Sequence, residues 1–173
     1  MKTVIFACIV IFFTSCGKDF GHLEGNLDWG GYTIIPDSNN KMKADILIGG
    51  TNNQFLAAGG YFTRYSWPTG DSSIVSLSGE SGNMSIAIDM MDILKAGSYS
   101  FGHVIGQHKG IKIICKMDQT TGIEYRNNYD VLSGSLKIDS LTTTRVKGSF
   151  NVTCWNGTNS VEITNGSFVG NVR

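Results

Sequence analysis

The stretch "RVKGSFNVTCWNGTNSVEITNGSFVGNV", residues 145–172, alternates apolar and polar side chains along two arms that flank a polar turn. The apolar side of the first arm carries Val146, Gly148, Phe150, Val152 and Cys154. A period of two places alternate side chains on opposite faces of a strand. The polar run Asn156–Asn159 between the arms is typical of a hairpin turn. The stretch therefore predicts a β-hairpin with one buried face, and Asn165-Gly166 predicts a bulge in its return strand.

The same alternation, interrupted by turn signals, continues upstream. The candidate strands are residues 32–35, 42–48, 54–58, 61–65, 73–78, 84–88, 98–101, 111–116 and 136–139. Asp89–Gly97 breaks the rhythm with an acid at its start, a lysine near its end and a glycine at its stop, and predicts a short helical turn. We therefore expect an all-β fold of about ten short strands with one helical turn, either an antiparallel sandwich or a closed barrel.

The N-terminus has the features of an export signal. Lys2 precedes an apolar run, Val4–Phe13, which is too short to span a bilayer, since a span needs about 20 residues. The run ends in Phe13-Thr14-Ser15-Cys16, which resembles the bacterial lipobox, whose cysteine is acylated before the leader is removed. We expect a signal peptide over residues 1–15, a lipid anchor at Cys16 with a flexible tether to residue 31, and one β domain over residues 32–173.

The composition argues against one class of partner, nucleic acid, and does not decide whether two cysteines form a disulfide or remain free thiols. The 173 residues carry a formal net charge of zero with scattered lysines and arginines, so we expect no nucleic-acid partner. Cys115 and Cys154 both fall on the inward side of their predicted strands. An exported chain could join them in a disulfide, or they could be two buried thiols. Parity alone does not place their Cα atoms within bonding distance, so both alternatives stay open.

Several segments of the domain occur in an order that resembles a known family. These are "AGSYSFG" (96–102), "SGSLKID" (133–139), "VKGSFNVT" (146–153) and "VEITNGSF" (161–168), with looser similarity upstream in "MKADILIGGTNNQFLAA" (42–58) and "IVSLSGESGNMSIAI" (74–88). Together they resemble an uncharacterised family of small Bacteroidota lipoproteins. The resemblance implies an all-β fold with a lipid anchor at Cys16, and it supplies no catalytic residues.

A search for catalytic or metal-binding chemistry gives few candidates. The histidines His22, His103 and His108 have no second cluster of ligands near them in sequence, so we predict no metal and no cofactor. The chain also has no nucleophile-elbow motif.

Two pairs of acids near turns remain, Asp118 with Glu124 and Asp89 with Asp92. Either pair would suit a glycosidase, although charge at a turn usually serves solvation. Asp139-Ser140-Leu141 resembles a short O-glycosylation motif of Bacteroidota exported proteins, which makes Ser140 a candidate modification site.

Aromatic residues give the strongest binding signal. Tyr61, Tyr65 and Trp67 cluster near one predicted turn, and Trp155 lies on the polar side of the last hairpin. An exposed flat ring beside polar groups can stack on a sugar or receive a partner loop. The alternative is that these rings close the ends of the β structure.

These observations predict a non-catalytic binding module, anchored in the outer membrane and either periplasmic or surface-exposed. Its expected ligand is a glycan, a peptide or an envelope protein. One alternative is a carrier that holds a small apolar ligand inside a barrel. The second alternative is a glycan hydrolase that uses the loop carboxylates.

Overall fold

The computed structural model describes residues 36–66, 73–103 and 109–173, which belong to one compact unit, residues 35–173. The predicted signal peptide, the tether, the strand at 32–35, Cys16, His22, Trp67 and His108 lie outside the described residues. Within the described ranges, no helix is long and apolar enough to cross a membrane.

The described residues form eleven strands and no helix, which confirms the all-β prediction. The strands are β1 (Lys41–Ile48), β2 (Thr51–Ala57), β3 (Gly60–Ser66), β4 (Ser73–Ser81), β5 (Met84–Met91), β6 (Gly97–His103), β7 (Gly110–Lys116), β8 (Glu124–Arg126), β9 (Ser133–Leu141), β10 (Arg145–Trp155) and β11 (Ser160–Asn171). The hairpin of β10 and β11 has its predicted bulge, where the register shifts opposite Asn165 at a φ of 50°.

Antiparallel pairing joins these strands into a closed barrel with two extensions. A ring of five strands runs β6-β7-β8-β10-β9 and returns to β6. One extension continues from β10 through β11 and β1 to β2, and the other continues from β7 through β5 and β4 to β3. Of the two predicted architectures, the structure is therefore the closed barrel, with further strands outside the ring.

The short strand β8 completes the ring, and the sequence pattern did not predict it. Its three residues pair with β7 on one side and with β10 on the other. Beyond it, the buried side chain of Asn127 accepts a hydrogen bond from the Ile113 N–H (2.8 Å) and donates one to the Ile111 carbonyl (3.3 Å). A side chain thus satisfies backbone groups of β7 where the short strand has ended.

The helical turn predicted over Asp89–Gly97 is wrong. Strand β5 continues through this segment to Met91, because Asp89 pairs with Lys112 and the buried Met90 pairs with Ile111 of β7. Asp92 then ends the strand with a φ of 54°. Pairing with a strand on each side outweighs the weak local preference for a helix.

The core consists of the inward positions of these strands. Its largest fully buried side chains include Phe55, Phe101, Phe150 and Phe168, together with Ile, Leu and Met residues from β1, β4, β5, β7 and β9. The domain therefore has the contiguous apolar interior that the period-two pattern predicted.

Candidate functional site

A row of side chains crosses the outer surface of the second extension. Successive pairings connect Tyr65 of β3, Ile74 of β4, Met91 of β5, Gly110 of β7 and His103 of β6. Their neighbours along each strand, such as Val75, Met90 and Ile111, are buried in the core. Since side chains alternate along a strand, the row faces outward.

Tyr129 fills the place that Gly110 leaves open in this row. A Cβ at Gly110 would lie 2.9 Å from Cζ of the Tyr129 ring, so only glycine admits the ring there. The same ring stacks on His103, with centroids 5.3 Å apart and planes 22° apart. The backbone N–H of His103 donates to the Tyr129 carbonyl (2.7 Å), and this bond holds the loop between β8 and β9 against β6. We call Tyr65, Ile74, Met91, His103 and Tyr129 the aromatic band.

The aromatic band is accessible and extended. The Tyr65 side chain is 52 % exposed, and the other members are partly exposed. Five neighbouring strands spaced by about 4.8 Å give the row a length of roughly 19 Å. Burial raises the pKa of the Tyr129 hydroxyl, so it remains a neutral donor and acceptor at physiological pH.

A polar row runs parallel to the band, two residues further along each strand. It connects Thr63, Ser76, Asp89 and Lys112 through the same pairings. The Ser76 hydroxyl donates to the Asp89 carboxylate (2.6 Å), which orients that acid within the row. The surface thus presents aromatic and aliphatic side chains on one line and hydrogen-bonding groups on the next.

Among the described residues, the predicted aromatic side chains lie in separate rows. Tyr61 and Tyr65 both face outward from β3, but Tyr61 lies in a different row, which passes through Ile114 and Arg126 and reaches Trp155. Trp155 is 53 % exposed, and five strand spacings of about 4.8 Å separate it from Tyr61 along the sheet. Of the predicted aromatic residues that the structure describes, Tyr65 alone belongs to the aromatic band.

The carboxylates of the hydrolase alternative serve structural contacts. Asp118 accepts hydrogen bonds from the Thr120 hydroxyl (2.7 Å) and N–H (2.9 Å), and both lower its pKa. Burial acts to raise the pKa of Glu124, but its contacts with Arg126 and Lys116 lower it overall. A general acid in a glycosidase needs a raised pKa, and neither environment provides one.

The second pair of acids also acts locally. Asp89 accepts from Ser76, as described above, and the Asp92 carboxylate accepts from the Ser73 N–H (2.7 Å) at the end of β5. No group of three or more His, Cys, Asp or Glu residues capable of holding a metal ion occurs within residues 36–66, 73–103 and 109–173.

The remaining predicted sites lie apart from the aromatic band. Cys115 and Cys154 are free thiols in the structure, each 0 % exposed. Ser140 is exposed on β9 opposite Lys147, where its hydroxyl is open to modification. Tyr61 lines a cleft of about 360 Å³ together with Pro36, Ala58–Gly60, Gly79 and Glu80.

Sequence reasoning missed four of the five members of the band. Ile74 and Met91 alternate with core residues, and a single sequence does not distinguish an outward apolar residue from an inward one at a strand end. His103 and Tyr129 are far apart in the chain, and a backbone hydrogen bond and ring stacking bring them together in the fold. The one sequence signal was Tyr65 itself.

Comparison with known protein families, curated proteins and solved structures finds no match to this chain.

Proposed function

We propose that the chain is a non-catalytic binding module of the outer membrane, lipid-anchored through Cys16, and that its aromatic band binds a glycan. The observation that carries the proposal is the row from Tyr65 to the stacked pair of His103 and Tyr129. The lipid anchor rests on the lipobox resemblance at residues 13–16. Two acyl chains are enough for stable membrane attachment, because each buried methylene contributes about 0.8 kcal/mol.

The chemistry of the two rows favours a glycan over a peptide. A sugar ring has apolar C–H faces, which can lie against Tyr65 or Tyr129, and hydroxyl groups at its edges. Thr63, Asp89 and Lys112 lie where those hydroxyls would need partners. A band of roughly 19 Å offers room for several sugar units along its length.

The alternatives receive less support from the same contacts. A carrier needs an open interior, whereas Phe101 and Phe150 are packed in the hydrophobic core at 0 % and 1 % exposure. A hydrolase needs an acid with a raised pKa, whereas the pKa values of Asp118 and Glu124 are lowered.

The test compares Tyr65→Ala with Trp155→Ala. The two rings are equally exposed, at 52 % and 53 %, but only Tyr65 belongs to the aromatic band. Affinity electrophoresis against a panel of neutral and acidic polysaccharides gives the wild-type dissociation constants. A stacked ring contributes roughly 0.5–1.5 kcal/mol beyond its buried area, so we expect Tyr65→Ala to weaken binding about tenfold or more.

Trp155→Ala should bind as the wild type does. If Trp155→Ala loses polysaccharide binding and Tyr65→Ala keeps it, the binding site lies around Trp155 and not on the aromatic band. If no polysaccharide in the panel retards the wild-type protein, the glycan proposal fails.

A further inference from the structure

The extended sheet has two outer strands, and residues within the described ranges cover the edge of one of them, β3. On β3, the Asp37 N–H donates to the Gly60 carbonyl (3.1 Å). Further along the same edge, the backbone N–H of Arg173 donates to the Phe62 carbonyl (3.1 Å). The backbone carbonyl of Arg173 accepts from the backbone N–H of Arg64 (2.8 Å). Residues from both ends of the domain thus satisfy the outer backbone groups of β3. Among the described strands, β2, at the other end of the sheet order, pairs with β1 alone.

The hairpin of β1 and β2 determines which backbone groups of β2 point outward. Its turn is Gly49-Gly50, with φ of 56° and 81°, and it is closed by the pair Ile48 and Thr51. The pair that closes a two-residue turn is hydrogen-bonded, and hydrogen-bonded pairs then alternate along the ladder. The N–H and C=O groups of Asn52, Gln54 and Leu56 therefore point away from β1.

One of these three residues already has a partner for its N–H. The Leu56 N–H donates to the Ser81 hydroxyl (3.1 Å), which confirms the outward direction and closes that end of the edge. Asn52 and Gln54 are exposed, and no hydrogen bond within the described part of the chain uses their outward backbone groups.

The edge lacks the usual protection against pairing. Natural edge strands carry charges, proline or a bulge, or they are very short. Strand β2 has the sequence TNNQFLA, with seven residues, no charge, no proline and an unbroken register to β1. Such a strand suits the addition of another strand at its edge.

We propose that β2 pairs antiparallel with β2 of a second copy of this chain, about a two-fold axis at Asn53. This register places Asn52 of each copy opposite Gln54 of the other, the two residues whose outward backbone groups no hydrogen bond within the described ranges uses. Side-chain amides then meet side-chain amides, which both donate and accept hydrogen bonds. No charge on either strand opposes the contact, and the interface is isologous, as closed dimers require. The inference is independent of glycan binding.

Disulfide trapping in the full-length protein tests this register. At the axis, Asn53 faces its own copy in a non-hydrogen-bonded pair, where Cα atoms lie about 4.5 Å apart. This spacing is within the range of disulfides, so Asn53→Cys should form a cross-linked dimer on mild oxidation with copper–phenanthroline. Thr51→Cys is the matched control, because the same register separates its two copies by four residues, or about 13 Å.

Both variants keep the native cysteines, so any difference between them reports position 53. We expect dimer from Asn53→Cys at least tenfold above the level from Thr51→Cys. Equal levels in the two variants would overturn the proposal. A cross-link from position 53 to a different protein would also overturn it, because the edge would then serve another partner.

A second variant tests the dimer without cross-linking. Gln54→Pro removes one outward N–H and leaves the ladder with β1 intact, because that N–H points away from β1. Native mass spectrometry of the detergent-solubilised protein should show a concentration-dependent dimer in the wild type and in Gln54→Thr, and its loss in Gln54→Pro. An unchanged dimer in Gln54→Pro, with an unchanged unfolding midpoint, would contradict the assignment to this edge.

Discussion

At the scale of single residues, Cys115 and Cys154 show how burial in the fold suppresses the reactivity of a thiol. Both thiols are fully buried, and burial raises the pKa of Cys115 to about 12. The pKa of Cys154 is raised as well, first by burial and second by the charge of Cys115. The thiolate is the reactive form of cysteine, so these side chains are inert while the fold is intact.

We predict that neither thiol reacts with iodoacetamide in the native protein. After unfolding in guanidinium chloride without reductant, peptide mapping should show both residues alkylated, because the structure has them as free thiols. If both residues stay unmodified until a reductant is added, they form a disulfide in the native protein instead.

At the scale of elements, the hairpin of β10 and β11 is built on two reciprocal pairs of glycine and phenylalanine. Gly148 pairs with Phe168, and Gly166 pairs with Phe150. A Cβ at Gly148 would lie 2.6 Å from Cζ of Phe168, and one at Gly166 would lie 2.7 Å from Cδ1 of Phe150. The two rings stack with their centroids 6.2 Å apart, so each glycine makes room for a ring that covers its strand.

We predict that Gly148→Ala destabilises the domain by about 1–3 kcal/mol, because the methyl group would overlap the backbone carbonyl oxygen of Lys137 and the buried ring of Phe168. The control is Ser149→Ala, one residue away on the outer face, which should change the free energy of unfolding by less than about 0.5 kcal/mol. Urea titration followed by tryptophan fluorescence measures both variants. Equal midpoints in the two variants would contradict this prediction.

At the scale of the whole molecule, a polar cluster joins the first described residues to the last. The Asp37 carboxylate accepts hydrogen bonds from the backbone N–H of Asn39 (2.9 Å), the side-chain amide of Asn171 (3.2 Å) and the guanidinium of Arg173 (3.0 Å). The hydrogen bond from the Asn39 backbone is the largest cause of the lowered pKa of Asp37, followed by the one from Asn171. Asn40 strengthens the junction by donating to the Gly60 carbonyl (3.0 Å) and accepting from the Asn171 N–H (2.6 Å).

We predict that this cluster contributes to loss of stability in acid. The unfolded carboxyl titrates near 3.8, and the folded one titrates lower. As the pH falls below about 4, the unfolded state therefore takes up the proton first, and the folded state loses this contribution. Asp37→Asn should lower the Tm at pH 7 but show a smaller further decrease between pH 7 and pH 3 than the wild type.

The control for this prediction is Asp130→Asn, which removes the same charge from an exposed position between β8 and β9. Its Tm should follow the wild-type pH dependence. If the Tm of Asp37→Asn falls between pH 7 and pH 3 as steeply as that of the wild type, the cluster does not contribute to the loss of stability in acid.

Interactions that are local in sequence explain what could be predicted. The alternation through residues 145–172 predicted the last hairpin, its turn and its bulge, because each depends on neighbours in the chain. The same reasoning failed at Asp89–Gly97, where the composition is helix-like but the first three residues pair with a strand on each side. It also missed β8, since three residues are too few to show a period.

The sequence by itself determined the strand class, the inward face of most strands and the glycine turns, because side-chain alternation and backbone conformation are properties of adjacent residues. Only the tertiary structure decided that the sheet closes into a ring, that Tyr129 covers Gly110 beside His103, and that, within the described part of the chain, the edge of β3 is covered and that of β2 is not. Each of these depends on which distant strands pair and in which register. Many registers bury the same apolar faces, and packing of the whole core selects one of them.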